Sequence, residues 1–209
     1  MWKQTLKDVF NFLFDNPVIF LIILGNYALA FLFGPFLGFV GFFFVALFYL
    51  IGLHGDLKNL WNSVKELSRW AFIVAIIEYF LYFGLGYISY LIYNRLGLNL
   101  IDRPKETLIF TLFYSLLVAI ILHPVYLILF ASKSFSELRE NLQYIPLLYR
   151  RGFLALLLFW FFIFVTLLAG LVRFLHFTVG MYAVFTSFWL TYYTFLGVKL
   201  LLKERTKEV

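Results

Sequence analysis

The sequence predicts an all-α integral membrane protein whose six transmembrane helices form three hairpins, each preceded by a cytoplasmic amphipathic helix. Three observations predict this fold class: a very apolar composition, six apolar runs long enough to cross a bilayer, and an uneven distribution of lysine and arginine between the connecting segments. The composition indicates that lipid surrounds most of the chain, the apolar runs give the number of helices, and the basic residues give the direction in which the helices cross the membrane.

The composition excludes an ordinary water-soluble domain. Hydrophobic residues make up 64% of the 209 residues and charged residues only 13%, whereas soluble domains are about half apolar and about a quarter charged. Lipid must therefore face most of the surface. The absence of cysteine excludes disulfides and thiolate metal sites. The net charge of +6 comes from basic residues scattered between apolar runs, which favours membrane lipids over nucleic acid as partners.

Six runs are long enough to span a hydrocarbon core of about 30 Å, which takes about 20 residues at about 1.5 Å of rise each. They are residues 17–33, 36–53, 70–93, 107–130, 152–175 and 177–201. The first two are short and are separated at Gly34-Pro35, where proline removes a backbone donor and ends a helix. The sequence therefore predicts a tight hairpin there instead of one long helix.

Lysine and arginine are concentrated on one side of the predicted helices. With the N-terminus inside, thirteen lie in inner segments and four in outer segments. The inner ones are Lys3, Lys7, Lys58, Lys65, Arg69, Lys133, Arg139, Arg150, Arg151, Lys199, Lys203, Arg205 and Lys207, and the outer ones are Arg95, Arg103, Lys105 and Arg173. Because cytoplasmic loops retain basic residues, both termini are expected in the cytoplasm. A cleaved signal peptide is the competing interpretation, which Asp8 and Asp15 disfavour.

A short pattern recurs before the first, third and fifth predicted helices. Residues 6–11 (LKDVFN), 57–62 (LKNLWN) and 138–143 (LRENLQ) align without gaps. Internal self-similarity of this kind indicates a repeat architecture. The sequence therefore predicts one membrane domain, 1–209, with repeats at 2–53, 54–130 and 131–202 and a cytoplasmic tail at 203–209.

The repeated segments have the spacing of amphipathic helices. In the second copy, apolar residues recur every three or four positions, at Leu57, Leu60, Trp61, Val64 and Leu67. Such a helix either lies in the headgroup region or covers the cytoplasmic end of the bundle, and the pattern alone does not distinguish the two. In the first case, the residues expected at lipid headgroups are Lys58, Lys65, Arg69, Arg139, Arg150 and Arg151.

The first copy also resembles a known group of membrane proteins. Its motif, ahead of an apolar run, is Trp2-Lys3, Leu6, Phe10, Leu13 and Asn16-Pro17. This motif is similar to one in the membrane domain fused to some glycerophosphodiester phosphodiesterases and in related uncharacterised six-helix proteins of the bacterial inner membrane. The resemblance implies a membrane module of the inner membrane, and it assigns no catalytic residue.

Two ionisable side chains lie well inside the predicted helices. Counted from the inner ends of their runs at about 1.5 Å per residue, Glu78 and His123 both lie about 10–12 Å deep. An ionisable group at such a depth costs about 2.5–3.5 kcal/mol and indicates a functional site by default. Since the two helices are expected to be antiparallel neighbours, we expect the two side chains to meet across the hairpin.

Further polar residues are expected at a similar depth. Tyr82 and Thr191 lie on faces of small and polar residues, which usually contact other helices, and Asn26 lies at a comparable depth on the first predicted helix. Pro124, directly after the histidine, is expected to free a backbone carbonyl one turn earlier and to kink the helix. The structural alternative is a glutamate–histidine hydrogen bond that only locks the hairpin.

Two functions are compatible with these observations. No motif of a hydrolase, a metalloprotease or a nucleotide-binding enzyme is present, so no enzymatic activity, metal or cofactor is expected. Under the first function, the protein transports or binds a small or amphiphilic molecule, with Glu78 as proton or cation partner and His123 as its neighbour. In the second, it is a non-catalytic scaffold or accessory subunit whose amphipathic helices bind lipid, a partner protein or a second copy.

Overall fold

The computed structural model describes residues 1–33, 35–171 and 176–206, with side-chain surroundings for all of these except 29–33, 35–37 and 176–179. Within these ranges the regular structure is helical, which confirms the all-α class. Gly34, Arg173 and Lys207, which the sequence predicts in the hinge, in an outer loop and in the tail, lie outside the described residues.

The described helices are α1 (Trp2–Phe14), α2 (Pro17–Phe33), α3 (Pro35–His54), α4 (Leu60–Arg95), α5 (Pro104–Ala131), α6 (Phe135–Asn141), α7 (Ile145–Arg151), α8 (Phe153–Leu171) and α9 (His176–Arg205). Single turns of 3₁₀ helix, Leu57–Asn59 and Leu142–Tyr144, precede α4 and α7. Proline occupies the first position of α2, α3 and α5, where its missing amide hydrogen costs nothing.

Several helices are apolar enough for a membrane. In the described residues, three are long enough to cross one alone: Leu57–Arg95, Pro104–Ala131 and Phe153–Leu171. A fourth candidate is the pair Trp2–Phe14 and Pro17–Ala28, which is bent by 91°, and Gly38–His54 is a shorter apolar helix. These helices indicate a membrane protein, while the six crossings remain a prediction.

The last helix, α9, lies at the centre of the bundle. Every residue from 190 to 198 is buried, and α1, α2, α5 and α8 pack around the helix. Its threonine and tyrosine side chains contact other helices, so α9 does not need the continuous apolar surface that lipid requires. That enclosure explains why α9 is not among the three helices that are apolar enough to cross a membrane alone.

The first helix, α1, lies across one end of the bundle. Its buried face includes Phe12, whose ring lies 5.2 Å from the ring of Phe195 in α9. The remaining apolar side chains form an exposed stripe at every fourth position, consisting of Trp2, Leu6, Phe10 and Phe14. This helix therefore covers the bundle with one face and keeps a second apolar stripe free.

The three segments predicted as repeats differ in conformation. The first is the separate helix α1, and the third is divided between α6, a 3₁₀ turn and α7. The second continues without a break into α4, which is 36 residues long. No glycine or proline occurs between Leu60 and Phe83 to interrupt it. The separate amphipathic helix expected in the second copy is therefore not formed, and the threefold repeat is not confirmed.

Ion pairs and hydrogen bonds gather the basic segments at one end of the bundle. Lys199 of α9 pairs with Asp8 of α1, and Arg205 lies 2.7 Å from Glu140 of α6. The first and last helices therefore meet at the same end. Residues 96–103, which join α4 to α5, lie at the opposite end.

Candidate functional site

A cavity of about 70 Å³ lies inside the bundle, between α2, α3, α4, α5, α8 and α9. It provides space for a few water-sized groups. Most of its lining is apolar, contributed by side chains such as Leu81, Leu122 and Phe159. Glu78 is the one acidic or basic residue among the described residues that line it.

The carboxyl group of Glu78 is incompletely satisfied. The residue is only 6% exposed, and its Oε2 atom has no hydrogen-bond partner among the described residues. The Tyr126 hydroxyl of α5 interacts with this carboxyl group but does not reach hydrogen-bond geometry. An unpartnered buried polar atom costs about 1–3 kcal/mol. The site therefore presents one acceptor oxygen that a bound group can satisfy.

Four tyrosines line the same cavity: Tyr27, Tyr82, Tyr126 and Tyr182. The hydroxyls of two of them already have neighbours outside the cavity. That of Tyr182 lies 3.0 Å from Thr166 Oγ1, and that of Tyr27 lies 3.4 Å from the Tyr49 hydroxyl. What these two residues offer to the cavity is chiefly their aromatic surface.

A second cavity, of about 270 Å³, adjoins the first between α4 and α8. Both cavities are lined by Tyr82, Leu85, Ile163 and Tyr182. The second extends along α4 to Tyr93, a rise of about 16 Å at about 1.5 Å per residue. This second cavity is an apolar groove, and Glu78 lies beyond its inner end, in the first cavity.

His123 does not meet Glu78, in contrast to the expected contact across the hairpin. Its Nδ1 lies 3.0 Å from the Tyr193 hydroxyl, and its Nε2 lies 3.4 Å from the Leu148 carbonyl oxygen. The Tyr193 hydroxyl also lies 3.2 Å from the His123 carbonyl oxygen, to which it donates. Leu122 and Tyr126 of α5 line the cavity, whereas His123, about 60° further round the helix than Tyr126, contacts α9 and α7 instead.

One of the two effects expected of Pro124, the freed carbonyl group, is observed. Pro124 has no amide hydrogen to donate to the Ile120 carbonyl one turn earlier, and the Tyr149 hydroxyl donates to that carbonyl at 2.5 Å. The same short helix, α7, supplies the carbonyl that contacts His123. These contacts give His123 and the carbonyl freed by Pro124 structural partners on α9 and α7, and the glutamate–histidine hydrogen bond of the structural alternative is not formed.

The three supporting residues expected around Glu78 have different positions. Tyr82 lines both cavities, whereas Asn26 and Thr191 line neither. The Oγ1 atom of Thr191 lies 2.8 Å from the Tyr49 hydroxyl, which in turn lies 3.4 Å from Tyr27. Thr191 therefore does not face the cavity but contacts Tyr49, which in turn contacts the lining residue Tyr27. The Nδ2 atom of Asn26 is buried and has no partner among the described residues.

Three cavity tyrosines were not predicted from the sequence: Tyr27, Tyr126 and Tyr182. Tyrosine is too frequent here, with 14 copies, for any single one to be conspicuous. A usable signal exists only for Tyr27, which follows Asn26 at the predicted depth. The others depend on how α5 and α9 are rotated, which no local pattern indicates.

The basic residues expected at lipid headgroups are all exposed: Lys58, Lys65, Arg69, Arg139, Arg150 and Arg151. Arg151 pairs with Glu204 at 2.5 Å, and the Lys65 ammonium group lies 5.3 Å from the centre of the Trp61 ring. Their exposure leaves them available to lipid headgroups or to a partner protein.

Comparisons of the chain with protein-family models, curated proteins and solved structures found no match. The resemblance to the membrane domain of some glycerophosphodiester phosphodiesterases therefore remains a prediction. Among the described residues, no three His, Asp or Glu side chains are grouped as a metal site requires. The geometry of the site is the basis for a functional proposal.

Proposed function

We propose that this chain is a multi-pass protein of the cell inner membrane that binds a small or amphiphilic molecule, as a step in carrying it within or across the bilayer. The observation that carries the proposal is the Glu78 carboxyl group, which is buried at a cavity without a full set of partners. Polar groups at this depth usually have a functional reason.

The proposal includes six membrane crossings, formed by α2, α3, α4, α5, α8 and α9, with both termini in the cytoplasm. The meeting of α1 with α9 through Asp8 and Lys199 supports an even number of crossings. The exposed basic residues at that end of the bundle support its cytoplasmic position. In the same scheme, the hairpins α2–α3, α4–α5 and α8–α9 are the membrane parts of a threefold repeat.

The adjoining groove supports an amphiphilic ligand. A polar head reaching Glu78 would lie at the inner end, while a chain would follow α4 past Leu85 towards Tyr93. The lining of this path is mainly aliphatic and aromatic, and burial of an alkyl chain there is favourable by about 0.8 kcal/mol per methylene.

Photolabelling tests the binding site. The protein is reconstituted in phosphatidylcholine nanodiscs with three dodecyl probes that carry a diazirine at the chain end and a cationic, neutral or anionic head. We expect at least one probe to label residues around Tyr93 and Leu171. A Gly86→Phe variant should lose this labelling. Gly86 lines the groove, and because an added side chain meets no neighbouring atoms there, the phenylalanine ring would fit and fill the space that the probe needs.

The matched control is Gly84→Phe. Gly84 lies in the same helix, also has open space around it and lines neither cavity. Binding in the groove would be refuted by two results together. All three probes would label only outward-facing side chains such as Phe80 and Phe113, and this labelling would be equal in the Gly86 and Gly84 variants.

A scaffold role is the second candidate, and the exposed side chains at the basic end support it. Trp61 is 67% exposed and lies beside Lys65, as expected for a surface that contacts headgroups or a partner. Charge reversal of Lys58 and Lys65 should then reduce the amount of anionic lipid or partner that co-purifies with the protein. Unchanged co-purification, measured by native mass spectrometry, would count against this role.

A further inference from the structure

The character of the central cavity specifies the charge of its ligand. Glu78 is an acid without a basic partner: none of the ion pairs among the described residues includes it, and no lysine, arginine or histidine lines the cavity. A carboxylate in apolar surroundings is costly unless a positive charge compensates it. The missing counter-charge is what a ligand can supply.

The aromatic lining favours the same charge. Tyr27, Tyr82, Tyr126 and Tyr182 surround the space in front of the carboxyl group, together with phenylalanine rings. The faces of such rings carry negative electrostatic potential and attract a cation within about 6 Å, most strongly where water is excluded. An anionic head would be repelled both by the rings and by a carboxylate.

A calcium or magnesium ion does not fit this lining. Calcium and magnesium require about six oxygen ligands, whereas one carboxyl group and a few tyrosine hydroxyls are the polar groups here. Two of those hydroxyls are already engaged, with Thr166 and with Tyr49. An alkylammonium group needs only one counter-ion and apolar contacts, and both are present.

We propose that the ligand is an organic cation with an apolar chain, whose ammonium head lies between Glu78 and the four cavity tyrosines while its chain occupies the groove between α4 and α8. This rests on the proposed function and narrows it to one substrate class. The groove provides about 270 Å³ for the chain, and its shared lining residues Tyr82 and Tyr182 connect it to the head site.

The three dodecyl probes described above also test this inference. Nanodiscs of zwitterionic lipid alone prevent the cationic probe from concentrating on an anionic surface. The cationic, neutral and anionic heads are trimethylammonium, alcohol and carboxylate. We expect the trimethylammonium probe to label the groove about tenfold more strongly than the alcohol probe, and the carboxylate probe to label it least. The reason is that an ion pair and cation–π contacts in a dry site stabilise only the cation.

Glu78→Gln should reduce the preference for the cation to the smaller part that the aromatic rings supply and leave labelling by the alcohol unchanged, since glutamine keeps the size of the side chain without its charge. The matched control is Glu106→Gln, an exposed acid in the first turn of α5, which should keep the preference. If the Glu78 variant cannot be purified, the comparison of the three heads in the unmodified protein decides alone.

The outcomes separate the two proposals. Groove labelling without a preference for the cation would overturn the inference about charge and leave the proposed binding function intact. Labelling of the groove by none of the probes would overturn both. A preference for the cation that is undiminished in Glu78→Gln would contradict the assigned role of this carboxyl group.

Discussion

The Tyr149 hydroxyl donates a hydrogen bond to the Ile120 carbonyl at 2.5 Å. That carbonyl cannot bond to residue 124, because Pro124 has no amide hydrogen. The donor comes instead from α7, and the neighbouring Leu148 carbonyl lies 3.4 Å from Nε2 of His123. The carbonyl group that Pro124 frees in α5 is thus the point at which a short helix from the basic end is attached to the bundle.

We expect Tyr149→Phe to lower the stability of the protein by about 1–2 kcal/mol, because the Ile120 carbonyl is left without a donor. The measurement is thermal unfolding in detergent micelles. Tyr90→Phe is the control, since Tyr90 is 61% exposed and should change little. In a Pro124→Ala background the amide donor is restored, so the effect of Tyr149→Phe should shrink. An undiminished effect there would contradict the explanation.

Gly52 allows close approach of α1, α3 and α9. A methyl group at this position would lie 2.7 Å from ring carbons of both Phe12 and Phe195, and both rings are buried. We expect Gly52→Ala to destabilise the protein by about 1–3 kcal/mol through overpacking. Gly84→Ala, where the added methyl meets open space, should be neutral or stabilising in the same thermal assay. Equal behaviour of the two variants would show that this packing is absent.

The pair of Asp8 and Lys199 predicts a pH dependence. Partial burial acts to raise the pKa of Asp8, but hydrogen bonds from Lys199 and Gln4 and the nearby positive charges outweigh it, so the pKa lies below the ordinary value of 3.8. Because the pKa is lowered in the folded state, the ion pair stabilises the protein fully at pH values above 3.8. This stabilisation is lost as the pH falls through the lowered pKa. Its size should be about 0.2–1 kcal/mol.

The expected measurement is the difference in Tm between the unmodified protein and Asp8→Asn. This difference should be present at neutral pH and disappear in acid, because the other carboxyl groups titrate equally in both proteins. Asp15→Asn, which removes an exposed acid next to the same helix, serves as control. A difference that persists unchanged in acid would exclude the ion pair as its origin.

The direction of the helices can be tested directly because the chain has no cysteine. Single cysteines at Lys3 and Thr206 should react with a membrane-impermeant maleimide only after the cells are permeabilised. A cysteine at Asp102, between α4 and α5, should react in intact cells. Labelling of the two terminal positions from opposite sides would exclude an even number of crossings.

The sequence predicted the part of the site that a single residue can reveal. Glu78 is conspicuous because a carboxyl group in an apolar run needs a reason, and it is indeed buried at a cavity with Tyr82. The pairing with His123 failed because depth along a helix can be counted from the sequence, whereas rotation about its axis is set by packing. On α5 that rotation turns Tyr126 towards the cavity.

The fold shows the same division. Proline positions predicted where α2 and α3 begin, because the missing amide hydrogen acts locally. The pattern around Leu57 correctly indicated an apolar helical face, but period alone cannot tell whether a helix ends before Trp70 or continues. In α4 it continues, since no residue there stops it.

The enclosed position of α9 has a consequence for biosynthesis. It leaves the ribosome after the other described helices, and its threonines and tyrosines would make it a weak insertion signal by itself. Its hydroxyls find partners on neighbouring helices, as Thr191 does with Tyr49 of α3. We therefore expect α9 to integrate efficiently only when the preceding helices are already in the bilayer to receive it, and poorly when it is presented to the translocon alone.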